Sequence, residues 1–328
     1  MKYSVVIPAY NVEEYILRAL NSLKGQTYQD IEIIVVNDGS KDNTEKVVLA
    51  FIKDNPKLDI KYQLIENSGP STARNTGIDL ATGDYICFLD ADDYYDEHLF
   101  EELNEIASNE VDAIYWGLEE RENDGKLIKK YTDTFKFVDN ESGIEIAKKK
   151  YFKEIWPHNC SVAYKLKLIN EKGIRYPVGV YLGEDANFIY KALFNCKTVR
   201  CLPKNYFYHT YLPNSLFHDS FNEKFLTEFK GTEDLLNYIQ ENNIPEVYPY
   251  IYSLYYYTRI TIAKKIVMSL KGSQGFKFCK LARKYIPKIK KKKPLMFNKK
   301  QKFECGLYRF SKLLFFCAAK IYLNKKHS

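Results

Sequence analysis

Residues 85–93 read Tyr85-Ile86-Cys87-Phe88-Leu89-Asp90-Ala91-Asp92-Asp93. Five apolar residues in a row have the length of a buried strand rather than of a helix. Three carboxylates then crowd the point where that strand must end. Packing does not account for them, because like charges at this spacing repel unless a cation sits among them. The Asp-x-Asp spacing suits one hard divalent ion together with a polyphosphate that the same ion touches. The competing structural reading is an acidic strand-to-helix turn in which Asp96 caps the next helix, so the surrounding sequence has to decide.

Upstream, strand and helix signals alternate. Tyr3–Ile7 reads as a strand, followed by Asn11 as an N-cap with Glu14 three residues on. Val12, Tyr15, Ile16, Ala19, Leu20 and Leu23 then recur at helical spacing. Ile31–Val36 is a continuous apolar run, the mark of a buried strand, and Asp42 with Glu45 repeats the cap pattern before a second helix. Ile60–Ile65 alternates as a third strand, Ser71–Ala81 reads as a third helix, and Tyr85–Leu89 is the fourth strand. Such alternation predicts a mainly parallel, doubly wound sheet whose ligands bind beyond the carboxyl ends of its strands. Further on, Asp96–Ser108 and Ser142–Phe152 read as helices, Ala113–Gly117 as a strand and Asn123-Asp124-Gly125 as a turn, while a helix opens at Leu182-Gly183-Glu184-Asp185.

A chain of 328 residues is long enough for one large or two modest domains. Its seven cysteines are odd in number and include no C-x-x-C pair, which argues against a disulfide framework or zinc site and for a reducing compartment. The N-terminus enters a strand at once, with no apolar segment of signal-peptide length. The formal net charge of +7 hides an asymmetry. Residues 264–328 carry 20 Lys and Arg against a single acid, Glu304, while the first 263 residues carry 29 basic and 41 acidic side chains. An acidic body joined to a basic tail points the tail towards an anionic membrane or a pyrophosphate-linked substrate; nucleic acid is excluded because the acidic body would oppose it.

The polar clusters of the N-terminal half each follow a strand: Pro8-Ala9-Tyr10-Asn11, Asn37-Asp38-Gly39-Ser40, Asn67-Ser68-Gly69-Pro70 with Arg74-Asn75, and Asp90 to Asp93. In a parallel sheet these loops share one edge and line one crevice. A tyrosine face, an aspartate acceptor and an arginine donor are what a nucleobase needs for stacking and edge recognition, and a cation held by Asp92 and Asp90 would neutralise a diphosphate. Singly, each cluster has a plain structural reading as a turn, a cap or a solvated helix residue; their joint placement is what is specific.

In the stretches Val5-Val6-Ile7-Pro8-Ala9-Tyr10-Asn11, Val35-Val36-Asn37-Asp38-Gly39-Ser40, Ala73-Arg74-Asn75-Thr76-Gly77, Leu89-Asp90-Ala91-Asp92-Asp93 and Gly183-Glu184-Asp185, the chain resembles glycosyltransferase family 2 over about residues 3–215. The resemblance implies an α/β GT-A fold, Rossmann-like with a mainly parallel central sheet flanked by helices. It implies an inverting glycosyltransferase that moves a sugar from a nucleotide-diphosphate donor, a UDP-hexose or UDP-N-acetylhexosamine, to a glycan or polyprenyl-linked acceptor. Pro8, Ala9, Tyr10, Asp38, Arg74, Asp90 and Ala91 would bind the donor, Asp92 with Asp90 would ligate Mn2+ or Mg2+, and Asp185 would be the catalytic base. Glu184, His209 and His158 are weaker candidates for acceptor or diphosphate contact, and Tyr206 to Thr210 with Asn214-Ser215 would close the catalytic region.

The expected organisation is a catalytic domain over 1–220, split at about residue 95 into nucleotide-sugar and acceptor halves, and a helical, basic extension over 221–328. The polybasic run Lys288-Ile289-Lys290-Lys291-Lys292-Lys293 and the aromatic stretch Phe310 to Leu323 suit an interfacial rather than a spanning helix, hence a cytoplasmic protein peripheral at the inner membrane face, with a homo-oligomer interface as the competing role for the tail. From other classes, a non-catalytic nucleotide-sugar-binding component of a glycan assembly complex also fits. A nucleotidyltransferase fits less well, since Pro8 to Glu14 lacks a Gly-rich, basic triphosphate loop.

Overall fold

The structure is a computed structural model that describes residues 1–212, 221–270, 274–287 and 295–326, the last four by backbone only. Asn214-Ser215 and the lysine run 288–293 lie outside the described residues. The chain divides into two units, one of residues 1–179 and 185–212, the other of 180–184 and 213–328.

The first unit is built on a nine-stranded sheet. Its opening half alternates strictly: β1 (Tyr3–Ala9), α1 (Ile16–Lys24), β2 (Ile31–Asn37), α2 (Thr44–Asp54), β3 (Asp59–Leu64), α3 (Pro70–Leu80) and β4 (Tyr85–Phe88). The neighbours β3-β2-β1-β4 are all parallel. β2 and β4 are buried at every residue, as parallel strands covered on both faces must be, whereas the edge strand β3 is half-buried or exposed throughout. α1 buries Ile16, Ala19, Leu20 and Leu23 against the sheet, the stripe that the sequence spacing anticipates.

The later elements are β5 (Tyr94–Tyr95), α4 (Leu99–Ile106), β6 (Ala113–Arg121), β7 (Leu127–Lys130), α5 (Gly143–Tyr151), β8 (Val162–Lys165), α6 (Leu166–Glu171), α7 (Glu184–Asn195) and β9 (Val199–Thr210). They extend the sheet as β4-β8-β6-β9-β5, with β7 on β6, and only the β6–β9 pair is parallel. The parallel character read from the sequence is therefore concentrated in the first four strands, where each crossover is a helix; short connections such as the β6–β7 turn impose antiparallel pairing.

Two cap assignments change. Asn11 does not cap α1, which begins five residues later. It sits in the left-handed region at φ 51°, donates its N–H to Ser40 Oγ and accepts from the Lys41 N–H, so it ties the loop after β1 to the loop after β2. Nor is Asp42 the N-cap of α2, a position held by Asn43; its carboxylate accepts the N–H groups of Thr44 and Glu13 and anchors the same neighbouring loop. Ser142 caps α5 through the Glu145 N–H.

The second unit is helical in its described residues: α8 (Thr227–Glu241), α9 (Tyr248–Ser269), α10 (Gly275–Tyr285), α11 (Lys299–Phe310) and α12 (Lys312–Lys326). Ile260, Ala263, Ile266 and Val267 of α9 pack with Phe278, Phe315 and Phe316. Lys264 and Glu304 form an ion pair at 2.7 Å inside this unit, joined by the Tyr257 hydroxyl. Phe276, Phe303, Phe310, Leu314 and Ile321 remain exposed. No described helix is long and apolar enough to cross a membrane.

Candidate active site

The parallel strands β1, β2 and β4 deliver their following loops to one edge of the sheet. Tyr10, half exposed, follows β1, and the register that aligns Ala9 with Asn37 sets it beside Asp38. Asp38 is buried, and its two carboxylate oxygens accept the Ser68 and Gly69 N–H groups at 2.7 and 2.8 Å. It thereby pins the loop that leads into α3. Gly39 takes a left-handed conformation at φ 69°, where a Cβ would lie 2.9 Å from the Asn67 nitrogen; only glycine fits this turn. Pro8 is half-buried, and Ala9 and Ala91 are buried.

α3 carries Arg74 to the centre. Gly77, one turn on, lets the helix lie directly on β1: a Cβ there would meet the Val6 side chain at 2.2 Å. Arg74 is itself buried. Its Nη2 donates to Asp90 Oδ1 at 2.8 Å, its Nη1 lies 3.1 Å from Asp185 Oδ1, and its guanidinium sits over the Tyr176 ring. One arginine thus ties the acid after β4 to the acid in the first turn of α7. The Asn75 side chain donates to the Tyr176 carbonyl and accepts the Tyr176 N–H, fixing the ring that backs Arg74.

These carboxyls do not titrate alike. Burial would raise Asp90, but the charge and hydrogen bond of Arg74 outweigh it and hold it below the usual range. Asp185 is raised, chiefly by burial and next by the Asp90 charge, against the pull of Arg74 and Lys150. Burial and the Asp90 charge also raise Asp92, and burial with both neighbours raises Asp93 far above its ordinary value. Unbalanced negative charge therefore accumulates where β4 ends. Asp93 is held by the Thr210 N–H, and β5 pairs with β9 so that His209 and Thr210 run alongside the acidic turn. Arg18 of α1 closes the cluster from below, donating to the Asp92 carbonyl and to Thr210 Oγ1, both at 2.7 Å.

His158 accepts the Cys160 N–H at Nδ1, which leaves its proton on Nε2, and stacks on Phe207. Burial, followed by His209, pushes it down to about 3, so it is a neutral ring at physiological pH. Its ring centroid is 6.1 Å from that of His209. Both histidines line a cavity of about 210 Å³ with Trp156, Phe135 and Tyr131.

A sequence profile described as "Glycosyl transferase family 2" matches residues 4–169, half of the chain. The chain belongs to glycosyltransferase family 2. It is 29% identical to the "Uncharacterized glycosyltransferase EpsJ" of Bacillus subtilis over 65% of its own length, a stretch that spans 62% of EpsJ. Among solved structures, it superposes on S. aureus TarS 1–349 in complex with UDP-GlcNAc with a TM-score of 0.69 at 18% identity, covering 99% of this chain and 92% of that one. It superposes on the mannosyltransferase PcManGT of Pyrobaculum calidifontis, in complex with GDP-Man and Mn2+, with a TM-score of 0.55 at 16% identity, covering 98% and 87%. The fold is thus GT-A, with a helical C-terminal region.

Against this family 2 pattern, the side chains fall into two groups. Asp38, Arg74, Asp90, Asp92 and Asp185 are gathered on one edge of the sheet, while Glu184 opens α7 beside Asp185. Among the described residues, one group of three potential ligand atoms lying within 4.8 Å of one another belongs to Asp90, Asp93 and Cys160, which sets Asp93 beside Asp90 as a further candidate ligand. Burial and the Asp90 charge push the Cys160 thiol well up, so it remains protonated and hydrogen-bonds Asp90. The oxygen donors of this set suit a hard divalent cation, and the excess negative charge is what such an ion would offset. Reading along the chain missed Arg18, Cys160, Tyr176 and Lys150, because each acts through a contact distant in sequence; only the buried position of Lys150, in the inward stripe of α5 with Ile146 and Ala147, left a signal.

Proposed function

We propose that this protein is an inverting, metal-dependent glycosyltransferase that moves a sugar from a UDP-hexose or UDP-N-acetylhexosamine to a hydroxyl of a surface glycan or lipid-linked oligosaccharide. The observation that carries the reading is the Arg74 bridge, which fixes the acid at the end of β4 and the acid at the start of α7 around one point. The UDP-GlcNAc complex of TarS and the GDP-Man and Mn2+ complex of PcManGT support the donor and ion classes.

The chain's residues have separable tasks. Tyr10 offers a face for stacking a base beside Asp38. Asp90, Asp92 and Asp93 would hold Mn2+ or Mg2+, which when bound offsets the charge developing on the departing diphosphate. Asp185 takes the proton of the acceptor hydroxyl. A carboxyl raised by burial is the better base, and such a group contributes roughly 10²–10⁴ in rate. Arg74 orients Asp185 and opposes its protonation. Attack of the deprotonated hydroxyl on the face opposite the departing diphosphate would invert the anomeric centre. The exposed Phe276, Phe303 and Phe310, set among the lysines of the C-terminal region, support peripheral contact with the inner face of an anionic membrane.

The test is a panel of nucleotide sugars incubated with the protein and Mn2+, with sugar release and transfer measured by mass. Turnover of a UDP-sugar that stops on addition of EDTA and returns with Mn2+ is expected. Tight UDP binding with no turnover of any donor would overturn catalysis, and turnover indifferent to EDTA would overturn the ion.

A further inference from the structure

The donor chemistry does not use the cavity beside His158 and His209. We propose that this cavity binds one pyranose ring of the acceptor against Trp156, with the buried Lys150 as the positioning residue that holds that indole in place. The proposal rests on the glycosyl-transfer reading and adds to it the acceptor's ring, its platform and its support.

Size and position come first. At about 210 Å³ the cavity falls below the roughly 300–1,000 Å³ of drug-sized sites, the scale of a single ring rather than of a nucleotide sugar. Its walls come from β6, β7 and β9 and from residues 131–158. In the strand order β3-β2-β1-β4-β8-β6-β9, those strands are separated from the Tyr10 and Asp38 end by β4 and β8. The cavity is thus not the base pocket. It does adjoin the acidic turn, since His209 precedes the residue whose N–H binds Asp93.

The lining has the chemistry of a sugar site. Trp156 and Phe135 lie nearly parallel, their planes 20° apart and centroids 5.9 Å apart. The C–H face of a pyranose is apolar and packs on such planes, while its hydroxyls need donors and acceptors at the rim. Glu120, Lys129 and His209 supply both.

The platform is also held rigidly. Tyr131 Oη accepts the main-chain N–H of Trp156 at 2.8 Å and donates to the Lys136 carbonyl. Lys150, only 5% exposed, donates Nζ to the Pro157 carbonyl at 2.8 Å and lies 4.3 Å over the Trp156 ring. Burial lowers the Lys150 amine to about 7, and its Nζ fixes two consecutive residues of one cavity wall at once, through the carbonyl bond and, in its charged form, the cation–π contact.

The chain has two tryptophans, Trp116 and Trp156, and Trp116 is fully buried, so 5-fluorotryptophan labelling yields two ¹⁹F signals that Trp156→Phe assigns. The full chain, saturated with UDP and Mn2+, is titrated with methyl β-glucopyranoside, methyl β-galactopyranoside and methyl N-acetyl-β-glucosaminide, with glycerol as the acyclic control. A saturable shift of the Trp156 signal alone, by at least one pyranoside and not by glycerol, is expected. In Lys150→Met, with UDP affinity as the folding control, the pyranoside dissociation constant should rise about tenfold and the Trp156 signal should split or broaden. No shift with any pyranoside, or an equal shift with glycerol, overturns the ring site; an unchanged dissociation constant in Lys150→Met overturns the role of Lys150. If a pyranoside binds while no nucleotide sugar is ever turned over, the acceptor role falls with the transfer reading. If a UDP-sugar is turned over and no pyranoside moves Trp156, the subsite alone fails.

Discussion

The two ends of the parallel strands treat a buried carboxylate in opposite ways. At the amino end, Glu32 is fully buried on β2 yet saturated with partners. It accepts from the Ser4 hydroxyl, the Thr82 hydroxyl and N–H, the Gly83 N–H and Lys61 Nζ, and Lys2 lies 3.5 Å away. Burial alone would raise it, but these bonds win and bring it down to about 2. At the carboxyl end, Arg74 pairs with Asp90 and Asp185, Arg18 is the cation that acts on Asp92 and Asp93, and three of the four carboxyls are nevertheless raised. A saturated carboxylate strengthens a fold. A cluster short of cations is costly to the apo protein and is kept where a ligand completes it.

Three substitutions would break or sharpen this contrast, the largest effect first. Asp185→Asn removes the proton acceptor from the unsaturated end. Transfer should fall by roughly 10²–10⁴ with UDP affinity retained, measured by steady-state kinetics and calorimetry. In the unsubstituted protein the acid limb of the rate profile should lie above the ordinary carboxylate range, because the raised base must lose its proton to work; a limb at the ordinary value would remove Asp185 from that role.

Glu32→Gln attacks the saturated end. The drop from the ordinary 4.5 to about 2 corresponds to roughly 3 kcal/mol. Since the folded value lies below the unfolded one, that stability is present in full above the unfolded value and is lost as pH falls through the folded one, over about pH 4.5 to 2. Urea unfolding at pH 7 should show the variant weaker by roughly this amount, and the gap should close towards pH 2 with donor binding unaffected. A variant as stable as the parent at pH 7 would mean that the two ends are not distinct.

Gly77→Ala is the smallest. Its new methyl meets Val6 and must move α3 off β1, at a cost of roughly 1–3 kcal/mol. Because Arg74 rides one turn earlier on that helix, kcat should fall out of proportion to the stability lost, whereas a purely global effect would leave kcat intact at low temperature.

Much of this was legible along the chain. The continuous apolar runs of β1, β2 and β4 identified strands buried on both faces, and the polar clusters that follow them located the crevice edge. What escaped was the partnership of side chains. Arg74 reads on its own as a donor for a nucleobase, and nothing in its neighbourhood announces that it bridges Asp90 and Asp185. Asn11 reads as a cap, yet it is the brace between two loops. Lys150 reads as one of three consecutive lysines at the end of α5, although it is the one turned inward.

By itself the sequence determined the alternation of strand and helix, the placement of acids at strand ends and the family, because hydrophobic periodicity and turn chemistry act over a few residues. Only the tertiary structure decided which carboxylates are saturated and which are left needing a cation. That balance depends on burial and on distances between residues as far apart as Arg74 and Asp185, where the energy of a charge is set by its surroundings rather than by its neighbours in the chain.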